Sequence, residues 1–301
     1  MQWIDLFGSS HSLFLAGIAL LGLIVGSFLN VVIWRLPQML RREWASQCYE
    51  YLQENIPALE TTIQPHFSKN TKPFNLITPP SHCPQCNHKI SVVENIPLIS
   101  FIFLKGRCRH CKTPISWRYP LIEIFTALLS VIVAFVFGLN LQTFAGLILT
   151  WSLFTLSVID WEHQILPDDI TFPLLWLGLI FNIQHVFTDI TSAVIGAIAG
   201  YLFLWSVYWL FKLFTGKEGM GYGDFKLLAM LGAWLGWSAL LKIVLISSFL
   251  GAGLGITLIL LKRHSKEQPI PFGPFLALGG WVTMLWGDKI SRFYTMHFTI
   301  L

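Results

Sequence analysis

Long apolar runs separated by short polar breaks set the pattern of this chain. The first covers about Leu13 to Ile33, and others follow near residues 119–138, 142–159, 169–186, 190–214, 225–236, 239–261 and 272–288. Most approach the ~20 residues that an α-helix needs to cross the hydrocarbon of a bilayer. The sixth run is the shortest and is interrupted by Gly232 and Gly236. Together the runs predict an all-α polytopic membrane protein of eight spans. Between the first and second spans, Arg35 to Arg118 is polar, rich in Pro and Cys, and holds no run long enough to cross. The expected organisation is therefore a first transmembrane helix over 1–34, a small cytosolic insertion over 35–118, and a helical bundle over 119–301.

Composition agrees with a membrane solvent. Hydrophobic residues make up 54% of the 301 and charged residues 12%, where a soluble domain has roughly a quarter charged. The mean hydropathy is +0.62. The first run does not read as a cleaved secretory signal, because it is too long for a signal core and the first basic residue, Arg35, follows it. Charge placement gives orientation. If the polar insertion is cytosolic and the spans alternate, seventeen of the twenty Lys and Arg are inside, leaving only Lys242, Lys289 and Arg292 outside. That is the positive-inside pattern, and it puts the N-terminus outside the cytosol. The net charge of +4 follows from this topology and does not indicate nucleic-acid binding.

The insertion carries two CxxC pairs, Cys83/Cys86 and Cys108/Cys111, with 21 residues between them. Each short turn directs two thiolates at one ion, and two turns close a tetrahedral shell with no position left for water. This describes a structural zinc site. The rival is a pair of redox CxxC motifs. A thioredoxin-like motif starts a helix beside a strand, whereas these cysteines lie among Pro, Gly, Asn and Lys, and a cytosolic location disfavours lasting disulfides. His82, His88 and His110 are spare ligands, and Cys48 has no partner in the pattern.

Two carboxylates stand out where charge is scarce. Asp160 ends the third span and Asp224 opens the sixth, so alternation puts both on the cytosolic face. A carboxylate at the edge of hydrocarbon is a functional candidate by default. Asp224 follows Gly219, Gly221 and Gly223, and alternating glycines clear side chains where a backbone bends, approaches closely or takes a positive φ. The bland alternative is a helix N-cap. Asp168, after Pro167, reads as the cap of the next helix, while Glu162 and Asp169 read as solvated charges. Asp168, Lys226 and the three glycines are the supporting residues of the site. Two close carboxylates share a proton and titrate as a unit. The ionised member activates water against a peptide carbonyl, and the protonated member donates to the oxyanion and then to the leaving amine. The chain has no GxSxG, no HExxH and no Cys–His pair outside the tetrad.

These residues resemble the type IV prepilin peptidases, bifunctional leader peptidase/N-methyltransferases of bacterial inner membranes. The resemblance rests on GSFLNVVIWRLP (Gly26 to Pro37), ENIPLIS (Glu94 to Ser100), LKGRCRHCKTPISWRYPLIE (Leu104 to Glu123), GMGYGDFK (Gly219 to Lys226) and IPFGPFLALGG (Ile270 to Gly280), in that order. It implies catalysis at Asp160 and Asp224 and zinc at Cys83, Cys86, Cys108 and Cys111. It also implies cleavage after the glycine of a basic leader on type IV prepilins and secretion pseudopilins, then methylation of the new N-terminus by S-adenosylmethionine. A methylation role transfers only to the region around Glu94. No nucleotide fingerprint supports that half from the residues themselves. The one glycine-rich run, GAGLG (Gly251 to Gly255), lies inside the seventh span and reads as a close-packing site.

Two other classes compete. A proton-coupled transporter would use the acids as relays, but it calls for related halves and midplane sites, and no internal repeat is visible. A membrane-anchored zinc module would leave the aspartates as caps, and the glycine clearance before Asp224 argues against it.

Overall fold

The computed structural model describes residues 2–55, 73–91, 93–260 and 270–298. Among these the regular structure is helical: α1 (Gln2–Asn55), α2 (Ile99–Phe103), α3 (Arg118–Phe137), α4 (Leu141–His163), α5 (Asp168–Ile183), α6 (Ile190–Thr215), α7 (Tyr222–Leu235), α8 (Trp237–Leu260) and α9 (Gly273–Phe298), with a 3₁₀ turn at Val93–Asn95. Each of the eight apolar runs has its helix, and the short α2 falls in the insertion. Of the seventeen basic residues counted above as inside, Lys69, Lys72, Lys262, Arg263 and Lys266 lie outside the described residues.

The first helix does not stop where the apolar run stops. α1 is 54 residues long and passes through Pro37 into QMLRREWASQCYEYLQEN. That stretch contains no Gly or Pro and is rich in good helix formers, so the change to polar residues ends the apolar stripe and not the helix. Cys48 lies on this extension as an exposed thiol.

Among the described residues five helices are long and apolar enough to cross a membrane: His11–Asn55 of α1, then Arg118–Phe137, Leu141–His163, Ile190–Thr215 and Trp237–Leu258. α5 and α7 are shorter, at 16 and 14 residues. A 14-residue helix spans only about 21 Å. α7 is also the core of its unit. Apart from Lys226, every residue from Asp224 to Trp234 is buried, and α5, α6, α8 and α9 all pack against it. A helix buried on all sides is apolar all round, a pattern the same in a protein core as in lipid.

The chain forms two compact units, Met1–Ile18 with Leu129–Leu301, and Ala19–Leu128. In the first, the glycine that interrupts the sixth run explains the packing. Gly232 on α7 faces Gly196 on α6 so closely that a methyl group on either would strike the other's main chain. Gly236, at φ 80, then ends α7. The end is clamped by Asn182, whose amide donates to the carbonyls of Ala233 and Trp234 at 2.9 and 2.8 Å while its oxygen accepts from Phe187 and Thr188. These bonds satisfy carbonyls that the helix itself leaves free. The close-packing role expected of GAGLG is not found there. A methyl at Gly253 meets nothing within 4 Å, and at Gly251 and Gly255 only ordinary contacts with Phe275 and Ile270.

In the second unit, α1 and the start of α3 meet at Gly26, where a methyl would lie 2.7 Å from the Glu123 Cα. Asn30 bridges the same seam, donating to the carbonyls of Gly26 and Tyr119 at 3.2 Å each. Further along α1, buried Arg35 donates to the carbonyls of Asn75, Leu76 and Pro79 at 2.9, 3.3 and 2.7 Å. It thereby fastens the segment that leads to the cysteines.

Candidate active site

α4 ends three residues after Asp160 because Gln164 takes a left-handed conformation (φ 55), from which its N–H donates to the Asp160 carbonyl at 2.8 Å. Pro167 prevents any resumption until α5 starts at Asp168. The link between these helices carries Leu166. Asp160 is thus fixed at a helix end with only 6% of its surface exposed. Asp224 is equally buried, at 6%, in the first turn of α7. It is not the cap of that helix. The cap is Gly221, in extended conformation at φ −81 and ψ 151 with no side chain to contribute, and Asp224 is the third helical residue. Asp224 is therefore not the N-cap residue, although from the third position its carboxyl faces the Gly221 main chain.

One side chain, Leu166, lies beside the glycines that neighbour the two acids. A methyl group at Gly223, beside Asp224, would come within 2.9 Å of the Leu166 Cβ. One at Gly273 would come within 3.2 Å of the Leu166 Cδ1, and the Gly273 N–H donates to Asp160 Oδ2 at 3.1 Å. Leu166 fills the space beside both glycines, and the charge on Asp160 acts on Asp224. Four chain segments far apart in sequence converge here: the end of α4, the α4–α5 link, the start of α7 and the start of α9.

The three glycines before Asp224 have different surroundings. Gly219 lies against the Phe211 ring, 2.7 Å from a notional methyl. Gly223 lies against Leu166. Gly221 is open, its nearest neighbour being Asp224 Oδ2 at 3.9 Å. None has the positive φ considered above. The loop that carries them is clipped to α6 by Glu218, which accepts from Lys212 at 2.9 Å. That hydrogen bond holds the Glu218 carboxyl below its usual range.

Asp168 does not cap α5. Pro167 occupies the cap position, and Asp168 begins the helix with its carboxylate turned to Lys226 of α7. Both its oxygens accept from the Lys226 ammonium, at 2.7 and 2.9 Å. The two supporting residues thus form one ion pair. His163 closes α4, and no hydrogen bond to the Asp160 side chain is present from it among the described residues. Leu166 and Gly273 were not singled out as site residues in the sequence. Gly273 lay in the last-span motif without a role, and Leu166 carried no signal beyond being apolar.

In the insertion, the cysteines occupy two turns of the same design. Cys83 N–H donates to the His88 carbonyl and accepts at its own carbonyl from Asn87; Cys108 does the same with Thr113 and Lys112. Asn87 and Lys112 both take left-handed conformations, at φ 55 and 62. Isolated antiparallel bridges, His82 with Lys89 and Arg107 with Pro114, close the two turns. The four Sγ atoms lie within 4.8 Å of one another. Cys83 and Cys111 approach to 3.7 Å, and Cys86 and Cys108 to 4.0 Å. A tetrahedral zinc–thiolate site has sulfur–sulfur edges of about 3.8 Å, so the donor set fits one metal ion. Main-chain N–H donors from Cys86 and Gln85 lower the Cys83 thiol, and the Thr113 hydroxyl beside Cys111 lowers that thiol to about 6. Both favour the thiolate form a metal requires, while burial and the neighbouring thiols push Cys86 up to about 11.

Glu94 sits in a capping box. Its carboxylate accepts from the Ser91 N–H and hydroxyl at 2.9 and 3.0 Å, and its own N–H donates back to Ser91 Oγ at 3.3 Å. Arg109 stands 3.7 Å from the other oxygen. The Ser91 main-chain bond is the chief cause of a carboxyl held below its usual range.

Comparison with known proteins matches this architecture in two parts. Residues 20–137 match the Bacterial Peptidase A24 N-terminal domain, and residues 147–256, which include both aspartates, match the Type IV leader peptidase family. The chain is 54% identical over 286 residues to the prepilin leader peptidase/N-methyltransferase of Aeromonas hydrophila, covering 95% of each chain. It is 52% and 51% identical over 294 residues to the proteins of that name from Stutzerimonas stutzeri and Pseudomonas aeruginosa, covering 98% of each chain. No solved structure matches the chain. With two buried aspartates in the matched region and relatives similar over nearly the whole length, the chain belongs to the type IV leader peptidase family.

Proposed function

We propose that this protein is a membrane-embedded prepilin leader peptidase and N-methyltransferase. It removes the basic leader of type IV prepilins and pseudopilins after Gly and then methylates the new N-terminus with S-adenosylmethionine. The observation that carries the peptidase half is the convergence of Asp160 and Asp224, both buried, around Leu166. In this reading the pair holds one proton and one water. One carboxylate takes a proton from the water that attacks the scissile carbonyl, and the other protonates the leaving amine. The Asp168–Lys226 pair holds the start of α5 to α7, and the glycines shape the approach to Asp224.

Cys83, Cys86, Cys108 and Cys111 hold one structural zinc, which fixes two turns of a segment with little core of its own. The methyl donor belongs to the same part of the chain, in the region around Glu94. The distribution of seventeen basic residues on one side supports an inner-membrane protein with its N-terminus in the periplasm and its active site at the cytosolic face.

The test is incubation of purified protein with a leader-bearing prepilin, with and without S-adenosylmethionine, followed by intact mass analysis. Loss of the leader in both samples and one added methyl group only with the donor are the expected results. An uncut prepilin would reject the reading.

A further inference from the structure

Among the described residues, the unit Ala19–Leu128 buries one carboxylate, and neither the aspartate pair nor the cysteine cluster uses it. Glu123 lies in the second turn of α3 and is buried, at 8% exposure, on a helix apolar enough to cross a membrane. An acid in that position is a functional group by default. Separate stretches of the chain build its surroundings. Gly26 lets α1 approach the Glu123 main chain, and the Ser27 hydroxyl hydrogen-bonds the carboxyl. The Leu98 N–H donates to Oε2 at 2.9 Å from a left-handed residue at φ 56. These partners come from the first-span and ENIPLIS motifs, and Glu123 itself ends the long motif that contains the second cysteine pair.

Both partners are neutral, and a carboxylate has about four acceptor positions. Among the described residues no Lys, Arg or His forms an ion pair with Glu123, whereas Glu94 is taken up by Ser91 and Arg109. A buried carboxyl with only neutral donors around it keeps acceptor positions free for a cation that arrives with a ligand. We propose that Glu123 receives the α-ammonium of the substrate's newly exposed N-terminal residue and takes its proton before methyl transfer, an assignment that rests on the methyltransferase half of the function proposed above. The proton passes from nitrogen to a Glu123 oxygen and frees the nitrogen lone pair. That pair forms the N–C bond to the sulfonium methyl carbon as the C–S bond breaks, its electrons remaining on sulfur in a neutral thioether. The product leaves as a secondary ammonium, and Glu123 returns its proton to solvent.

The test uses full-length enzyme in lipid vesicles and a pre-cleaved pilin peptide as acceptor, so that methylation is scored apart from cleavage. Glu123→Gln keeps an oxygen for Leu98 and Ser27 but neither balances an ammonium nor accepts its proton. Prepilin cleavage should stay near the wild-type rate while kcat for methyl transfer falls about 100-fold. Glu123→Asp should recover part of that loss. Without methyl donor, wild type should bind the free-amine peptide about tenfold tighter than its N-acetylated form, and Glu123→Gln should not discriminate. Wild-type methylation by Glu123→Gln, or retained preference for the free amine, overturns the proposal. So does an equal loss of cleavage and methylation without recovery in Glu123→Asp, which marks a packing role. If wild type itself neither cuts nor methylates, the functional reading fails, and the amine-binding comparison still decides the role of Glu123.

Discussion

Gly273 donates its main-chain N–H to the Asp160 carboxylate at 3.1 Å, joining two positions 113 residues apart. The donor is the first residue of α9, so the free amides and partial positive charge of a helix N-terminus face the acid. The glycine is required by contact and not by backbone angle, because a Cβ there would meet Asp160 Oδ2 at 2.5 Å.

Gly273→Ala should therefore displace Asp160 while the protein still inserts. A shift near 1 Å at a reacting group is enough to lower cleavage about 100-fold. Methylation of a pre-cleaved peptide should be unaffected. Wild-type cleavage would show that this contact does not position Asp160.

Asp160→Asn and Asp224→Asn should each abolish cleavage, since a shared proton and a bound water need both carboxylates. The double variant should be hardly worse than either single one, because residues that act as a unit are not additive. Both single variants should still methylate a pre-cleaved acceptor. Residual cleavage in one of them at a substantial rate would assign the chemistry to a different group.

The helices and the two aspartates were legible because burial in lipid and charge in an apolar context leave strong local signals. Asp168 was misjudged for a local reason: an Asp after Pro looks like a cap, and only the fold shows that Pro167 takes that place while Lys226 faces the carboxylate. The core role of α7 was not legible, because an all-round apolar helix has the same pattern in a protein core as in lipid. Leu166 and Gly273 gave no reading at all. Their importance is a distance between separate segments, which no periodicity encodes.

The glycines before Asp224 should now separate. Gly221→Ala adds a methyl whose nearest neighbour is 3.9 Å away, so cleavage and melting temperature should both stay close to wild type. Gly223→Ala puts a methyl 2.9 Å from Leu166 Cβ, so it should lower cleavage sharply. A smaller residue at the other side, as in Leu166→Ala, should partly restore activity to Gly223→Ala. Equal tolerance of both alanines would mean that Leu166 yields without moving Asp224.

Asp168→Asn and Lys226→Gln should behave alike, since each removes the same ion pair. The side chains are 49% and 29% exposed, and an exposed pair contributes about 0–1 kcal/mol. Each variant should lose a little melting temperature and a modest part of its cleavage rate, and the double variant should lose no more. An Asp168→Asn protein as inactive as Asp160→Asn would place Asp168 among the reacting groups.

The geometry of the cysteine cluster separates a metal site from a redox pair. A redox CxxC forms its bond within one motif, yet here the hydrogen-bond-range contacts pair Cys83 with Cys111 and Cys86 with Cys108, across the two turns. That is the arrangement of four ligands on one centre. Elemental analysis should find one zinc per chain in wild type and little in Cys86→Ser or Cys108→Ser. Chelation should expose residues 80–118 to proteolysis, since metal binding and folding are linked in such small segments. The pilin-peptide methylation that depends on this unit should fall with zinc content across the variants. Intact thiols without metal, or a disulfide within either CxxC in protein prepared under reducing conditions, would reject the site.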